Sequence, residues 1–351
     1  MTDSIRGGAA GRRSRQKPPT STDVANHAGV SQKTVSRVLN GEPYVAPAVR
    51  ERVLAATREL GYRRNQHAAA LQTGRSQRIG VVSLGTALYG PAMLVFAIER
   101  LIRRTDYSVS VVSTVEGDAG GIKGAVDALL AQGVDGIVLS EPIDEGQDLA
   151  LDTDVPVLSV GRFPGLIGAR TVISDMDGVG GARAATEHLL SLGHQTVWHL
   201  AGPQGWWSAQ DRLDGWRRAL ADVGAVAPPP LNGNWLPASG YAAGQQLAVT
   251  PGVTAVFVAN DDMAIGLTRA LLDHGLSVPE DVSVVGYDDI PTAAYLSPPL
   301  TTLRQDFEAA AARGLELLIR QIEDADAPEP IPTERIPVEL VVRGSTAPPG
   351  R

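Results

Sequence analysis

The 351-residue chain contains no cysteine. Disulfide frameworks, thiolate metal sites and thiol nucleophiles are excluded, and the composition fits a reducing, cytoplasmic setting. No uninterrupted apolar run reaches the roughly 18 residues that a membrane helix requires, so no membrane partner is expected. The opening stretch MTDSIRGGAAGRRSRQKPPT is basic, but no apolar segment follows it, and no secretory signal is expected. The six histidines show no HExxH or comparable metal spacing, and there is no GxSxG elbow. GDAGGIKGA and DGVGGARAA lack the full phosphate-loop patterns, and their glycines read as tight turns leading into helices. An enzyme is therefore not expected, nor a metal or cofactor.

What is present is unevenly placed. Residues 1–78 carry 14 Lys+Arg and 5 Asp+Glu, net +9, leaving 17 against 34, net −17, for the remainder of a chain whose total is −8. A basic head on an acidic body suggests that only the head meets a polyanion. Residues 1–19, rich in Gly, Arg, Ser and Pro, have no periodicity and read as a disordered basic tail. The length suggests two or three domains.

From Thr20 to Tyr62 the apolar pattern turns helical three times. Val24, Ala25 and Ala28 form one short face, Val35, Val38 and Leu39 a second, and Val49, Val53, Leu54, Ala56 and Leu60 a third. Gly29 separates the first two, Ser31 suits the N-cap of the second helix and Gly41 its end. Pro47 suits the first turn of the third helix and Gly61 its close. Helices this short must pack as one module.

Beyond RIGVVSL, strand-like runs alternate with helical stretches: YSVSVVS, VDGIVLS, VPVLSV, RTVISD, TVWHLAG, VTAVFVAN and VSVVGYDD. This alternation means βαβ units, parallel sheets and helices on both faces. About 270 residues fit two doubly wound lobes better than one sheet. Ligands in such lobes sit beyond the C-terminal strand ends, which is where the polar AGPQ, NDD and YDD stretches fall.

A helix, a short turn with Gly and a second helix opening on polar residues is the helix-turn-helix arrangement, whose second helix enters the DNA major groove. Gln can pair with adenine and Arg with guanine, while Ser, Thr and Lys bind phosphates or mixed acceptors. Gln32, Lys33 and Arg37 would then face bases, with Ser31, Thr34 and Ser36 holding the backbone. The alternative is the solvated face of an ordinary small helical domain.

DVANHAGVSQKTVSRVLNG, ERVLAATRELGYRRNQHAAAL, VANDDMAIG, DVSVVGYDDI and SPPLTTLRQDF together resemble the lactose repressor/galactose repressor (LacI/GalR) family of transcription regulators, from about Thr20 to Thr346. The resemblance implies an α/β chain: a three-helix helix-turn-helix head over residues 20–64, a hinge helix and linker over 65–76, and a two-lobed periplasmic-binding-protein-like body of doubly wound parallel sheets over 77–347. The N-lobe would take about 77–177 and 306–335, and the C-lobe about 178–305 and 336–347, joined by three crossovers. NQHAAALQ, residues 65–72, would order on DNA, with Asn65 among the DNA contacts and Leu71 as an apolar wedge in the minor groove. Three alanines favour helix, yet eight residues are too few for a stable free helix. Arg64 stands where members commonly have Pro. A Leu71 that merely packs within a linker is the other reading.

By the same resemblance, Arg212, Asn260 and Asp288 fall where sugar hydroxyls are bound, Trp235 and Phe307 pack on the sugar ring, and Leu88, Pro91 and Leu94 form an apolar wall. Charged and amide groups orient hydroxyls while aromatics cover the ring's C–H face. Asn260 and Asp288, at strand ends, could instead cap the following helices. Gly161, followed by Arg162, replaces a sugar-contacting aspartate of the family pattern, which puts galactoside specificity in question. Trp206 and Trp207 are expected at the cleft lip as stacking surface for a second sugar unit.

The expected function is a ligand-responsive repressor of sugar-utilisation genes that binds double-stranded, pseudo-palindromic operator DNA as a homodimer and is released by a glycoside or oligosaccharide. VVRGSTAPPGR carries no leucine-repeat tail, so a dimer rather than a tetramer is expected. The alternatives are a corepressor-dependent regulator and a cytoplasmic sugar-sensing protein without specific DNA binding.

Overall fold

A computed structural model describes residues 19–39, 41–62, 75–114, 121–140, 143, 144, 146, 148–168, 170–324 and 335–350. The hinge stretch, with Arg64, Asn65 and Leu71, lies outside the described residues, as does most of the basic tail. Two compact units emerge, Met1–Ser76 and Gln77–Arg351.

In the first unit, α1 (Ser21–Ala28) begins with a reciprocal Thr20/Asp23 capping box and ends at Gly29, φ +62°. That left-handed residue is the natural stop, because it lets the Val30 N–H reach back to the Ala25 carbonyl at 3.0 Å. α2 (Gln32–Leu39) starts from Ser31, whose Oγ accepts the Thr34 N–H at 3.1 Å. α3 (Pro47–Glu59) has Pro at its start. Val24, Ala25, Ala28, Val35, Val38, Val53 and Ala56 form one shared core. Leu54 departs from the sequence expectation. Burial follows Val53, Ala56 and Leu60, spaced by three and four, and Leu54 lies one position off that stripe with 41% of its surface exposed.

The second unit opens with β1 (Arg78–Leu84), α4 (Tyr89–Ile102), β2 (Ser108–Thr114), α5 (Gly121–Ala131) and β3 (Gly136–Ser140). β4 (Leu149–Ala150), β5 (Val157–Val160), β6 (Leu166–Ile167) and β7 (Thr171–Ser174) follow. The parallel sheet runs β2-β1-β3-β5-β7. Ile79 to Leu84 are all buried, as a central strand covered on both faces requires.

After a crossover come α6 (Gly178–Ser191), β8 (Trp198–Ala201), α7 (Trp207–Asp222), β9 (Leu231–Asn232) and α8 (Pro237–Ala248). β10 (Ala255–Val258), α9 (Asp261–Asp273) and β11 (Ser283–Val285) complete a second parallel sheet, ordered β11-β10-β8-β9. β12 (Thr302–Arg304) and β13 (Glu339–Val341) pair antiparallel, with α10 (Phe307–Glu323) between them in sequence. α10 buries Ala310, Ala311, Gly314, Leu315, Leu318 and Ile322 along one stripe. That stripe covers the first sheet, with Leu158 and Val172 in the same core.

The chain thus passes between the two sheets near residues 175–178, 304–307 and 335–337. Met176 bridges to Ile336, and the Asp177 N–H donates to the Ile336 carbonyl at 2.8 Å. The lobes also meet across the cleft, where Ile143 pairs with Trp206 and the Asp144 N–H donates to the Gly205 carbonyl at 2.7 Å. All the strand-like runs of the sequence became strands. Apart from β11, the two- and three-residue strands, β4, β6, β9, β12 and β13, carry no readable alternation.

Candidate functional site

In the head, α2 turns Val35 and Val38 inward, and its opposite side exposes Gln32, Lys33, Ser36 and Arg37. Spacing of four places Gln32 above Ser36 and Lys33 above Arg37, two adjacent rows on one helix face. Ser31 is exposed and Thr34 half-buried, their hydroxyls 2.9 Å apart. Gln32 Nε2 donates to Ser21 Oγ at 2.7 Å, and Arg37 Nε lies 3.3 Å from a Glu42 carboxylate oxygen. Both contacts are at the surface, so water or a nucleic-acid base can replace them at small cost.

In the body, a cavity of about 50 Å³ opens between the lobes, room for a few ordered waters. The N-lobe lines it with Leu94, Val160, Gly161, Arg162, Asp175 and Met176, and the C-lobe with Trp207, Ser208, Asp211, Arg212 and Tyr287. Gly178 and Gln305, from two crossovers, complete it. The C-lobe residues come from the start of α7 and the end of β11, the strand-end positions where such folds bind ligands.

Arg212 is the centre of the C-lobe side. It is 4% exposed, its guanidinium carbon stands 3.7 Å over the Tyr287 ring and 5.3 Å from the Trp235 ring, and Nη2 is 3.7 Å from Asp288 Oδ1. Nη1 donates to the Ala259 carbonyl, while the buried Nε has no partner. Asp288 also accepts from Gln305 Nε2 at 2.8 Å. Trp235, Asp288 and Asp289 have positive φ (71°, 109° and 51°), which non-glycine residues rarely adopt. Trp235 can lie where it does because Gly202 faces its ring: a Cβ at 202 would fall inside the indole.

Arg162 bridges the lobes. Its Nη2 is 3.0 Å from Asp211 Oδ1, its guanidinium lies 5.0 Å from the Trp207 ring centre, and its Nε and the Trp207 Nε1 are buried without partners. Arg335 Nε holds Asp175 at 3.1 Å. Burial pushes the Asp175 carboxyl up to about 6, with Arg335 opposing and Asp211 adding. Burial likewise raises Asp211, against the pull of Arg162. Asp261, beneath the site, is pushed well above the usual carboxylate range by burial and then by Asp288.

Of the eight ligand positions named from sequence, Leu94 and Arg212 line the cavity, and Asp288 and Trp235 sit against Arg212. Asn260 Oδ1 accepts the Met263 N–H at 3.0 Å and its Nδ2 donates to the Trp235 carbonyl at 3.0 Å, so it caps α9 and holds the Trp235 loop. Phe307 lies 6.2 Å from Tyr89, edge to face, in the core under α10. Pro91 is buried at the start of α4, and Leu88 packs on the other core.

Trp206 is not at a lip. It is 6% exposed and packed edge to face on Trp235 at 5.6 Å, because its backbone is drawn in by the pairing with Ile143. Trp207 alone of that pair lines the cavity. Sequence reading did not single out Asp175, Asp211, Tyr287 or Gln305. The strand-end position of Asp175 and the adjacency of Asp211 to Arg212 were the available signals.

A helix-turn-helix head with an exposed polar row, and a separate body of two doubly wound sheets with a charged cleft between them, define a DNA-binding regulator with a binding-protein body. Residues 20–65 match the bacterial regulatory proteins of the lacI family, and residues 186–346 the periplasmic binding protein-like domain. The lactose operon repressor of Escherichia coli K12 is 37% identical over 339 residues, 95% of this chain and 92% of that protein. The lac repressor dimer bound to operator and the anti-inducer ONPF superposes with a TM-score of 0.81 at 34% identity, covering 94% of this chain and 100% of that one. The transcriptional regulator CelR in complex with cellobiose does so at 0.66 and 32%, covering 93% and 99%. The chain belongs to the LacI family of transcriptional regulators and is not an enzyme. No helix among the described residues is long and apolar enough to cross a membrane.

Proposed function

We propose that this protein is a cytoplasmic repressor of sugar-utilisation genes that binds a pseudo-palindromic operator as a dimer and is released by a glycoside or oligosaccharide. The observation that carries the effector half is Arg212, a buried cation with an unused N–H, set over Tyr287 and lining an interlobe cavity. Sugar oxygens supply the missing acceptor, and aromatic faces cover the ring. The exposed row of Gln32, Lys33, Ser36 and Arg37 supports the operator half. The lac repressor is a dimer on operator in a related structure, and one helix pair offers too few contacts for tight binding by itself.

The mechanism is a population shift. Sugar binds one lobe arrangement better, and operator the other. Moving the equilibrium from 1:99 to 99:1 takes roughly 5.5 kcal/mol of differential binding, and by reciprocity operator must weaken sugar binding by the same factor.

Fluorescence anisotropy on DNA from upstream of the protein's own coding region, with and without a sugar panel, tests both halves. Specific, palindrome-dependent binding relieved by a sugar is the expected result. Equal binding to random duplex across a range of salt would refute it. Arg37→Ala should cost specific binding about 1–3 kcal/mol and leave sugar binding alone, if Arg37 reads a base.

A further inference from the structure

Arg162 and Asp211 line two spaces, the inner cavity and an outer groove of about 450 Å³. Their ion pair, 3.0 Å long, belongs to the lining of both, and we take it as the partition between them. The groove's other charged residues are Asp177, Asp214, Arg218 and Arg335. Three cations thus face three carboxylates. Arg218 meets Asp214 at 2.6 Å, and Arg335 lies 3.9 Å from Asp177. With as many carboxylates as cations along its lining, and Arg335 also holding Asp175 at 3.1 Å, the groove has no excess charge to select an ion. It offers donors and acceptors side by side, which is what the hydroxyls of a neutral sugar use.

The partition is built to be displaced. The Arg162 guanidinium rests on the Trp207 face that a sugar ring would cover, and both residues keep a buried N–H without an acceptor. A closed, permanent wall would have satisfied those donors.

We propose that the outer groove is a third sugar subsite, beyond the Arg212 and Trp207 positions of the inner cavity, and that the effector is a neutral oligosaccharide of at least three units. One unit lies at Arg212 and Tyr287, the next takes the Trp207 face as Arg162 swings aside, and a third occupies the groove between Asp214 and Arg218. This rests on the sugar reading of the inner cavity and extends it.

The test is calorimetric titration of the full-length protein with neutral glucose- and galactose-based saccharides of one to four units in α and β linkage, against Arg218→Ala and Asp214→Ala. Both side chains are exposed (62% and 45%) and outside the inner cavity, and thermal melts should show both variants folded. In the parent, affinity should rise about tenfold or more from two units to three, a gain expected of one hydrogen bond to a charged group. Each variant should erase that step and bind one- and two-unit sugars as the parent does. Equal affinity for two and three units, or a step that survives both substitutions, overturns the subsite while leaving the sugar reading intact. Failure of every saccharide to bind overturns both.

Discussion

Both sheets of the body reverse direction at their first strand, β2-β1-β3-β5-β7 in one lobe and β9-β8-β10-β11 in the other, yet they place different chemistry at the strand ends. After β1 come Leu88, Pro91 and Leu94, and α4 starts with no side-chain cap. After β8, β10 and β11 come Asp211 and Arg212, Asn260 and Asp261, and Tyr287 and Asp288, most of them buried and joined by ion pairs or hydrogen bonds. Charged anchors hold their geometry only when neighbours lock them, whereas apolar walls slide with little loss of contact energy. On the proposed sugar reading, the C-lobe would fix the ligand's orientation and the N-lobe would supply the apolar wall opposite it. Arg162 and Asp175 are the N-lobe's polar exceptions in the cavity lining, each paired by a residue from beyond its own strand.

That division can be broken most sharply at Arg212. Arg212→Leu removes the cation beside Asp288, leaving it the Gln305 hydrogen bond, and should lower effector affinity at least about 100-fold, with operator binding unchanged in a shift assay. An unchanged sugar response would remove the anchor from the C-lobe. On the N-lobe side, Leu94→Ala should cost about 2–5 kcal/mol of stability in denaturant titration but less than tenfold in sugar affinity.

Asp175→Asn addresses the N-lobe's charged exception. The folded carboxyl, held near 6, prefers its proton, so the parent loses stability relative to the variant as pH rises from about 4 to 6 and no further above that. The difference should reach about 3 kcal/mol, and a flat difference over that window would mean that Arg335 fully offsets the burial. The smallest effect is expected at Asn260. Asn260→Ala should cost about 1 kcal/mol as a lost cap, and a large fall in sugar affinity beyond that would make it a ligand contact as well.

What the sequence could and could not reveal follows from the range of each interaction. The head's core was legible because Val24, Ala28, Val35 and Val38 are fixed by local helical spacing, and Ser31 and Gly29 by capping chemistry acting within four residues. The strands were legible because buried parallel strands leave unbroken apolar runs. The Arg162–Asp211 partition was not, since its members are 49 positions apart (211 − 162) on different lobes. The burial of Trp206 likewise depends on Ile143 in the opposite lobe. Asn260 stood between two readings because a strand-end asparagine looks the same whether it caps a helix or meets a ligand.

Gly161 has φ +106°, a left-handed backbone that favours glycine and that Asp288 also adopts, at +109°, where Arg212 and Gln305 flank it. An aspartate there would carry its carboxylate at the cost of distorting the turn that also presents Arg162. A carboxylate at this point of the cleft thus calls for neighbours that hold the strained backbone, as Arg212 and Gln305 flank Asp288, and not for the exchange of one side chain alone.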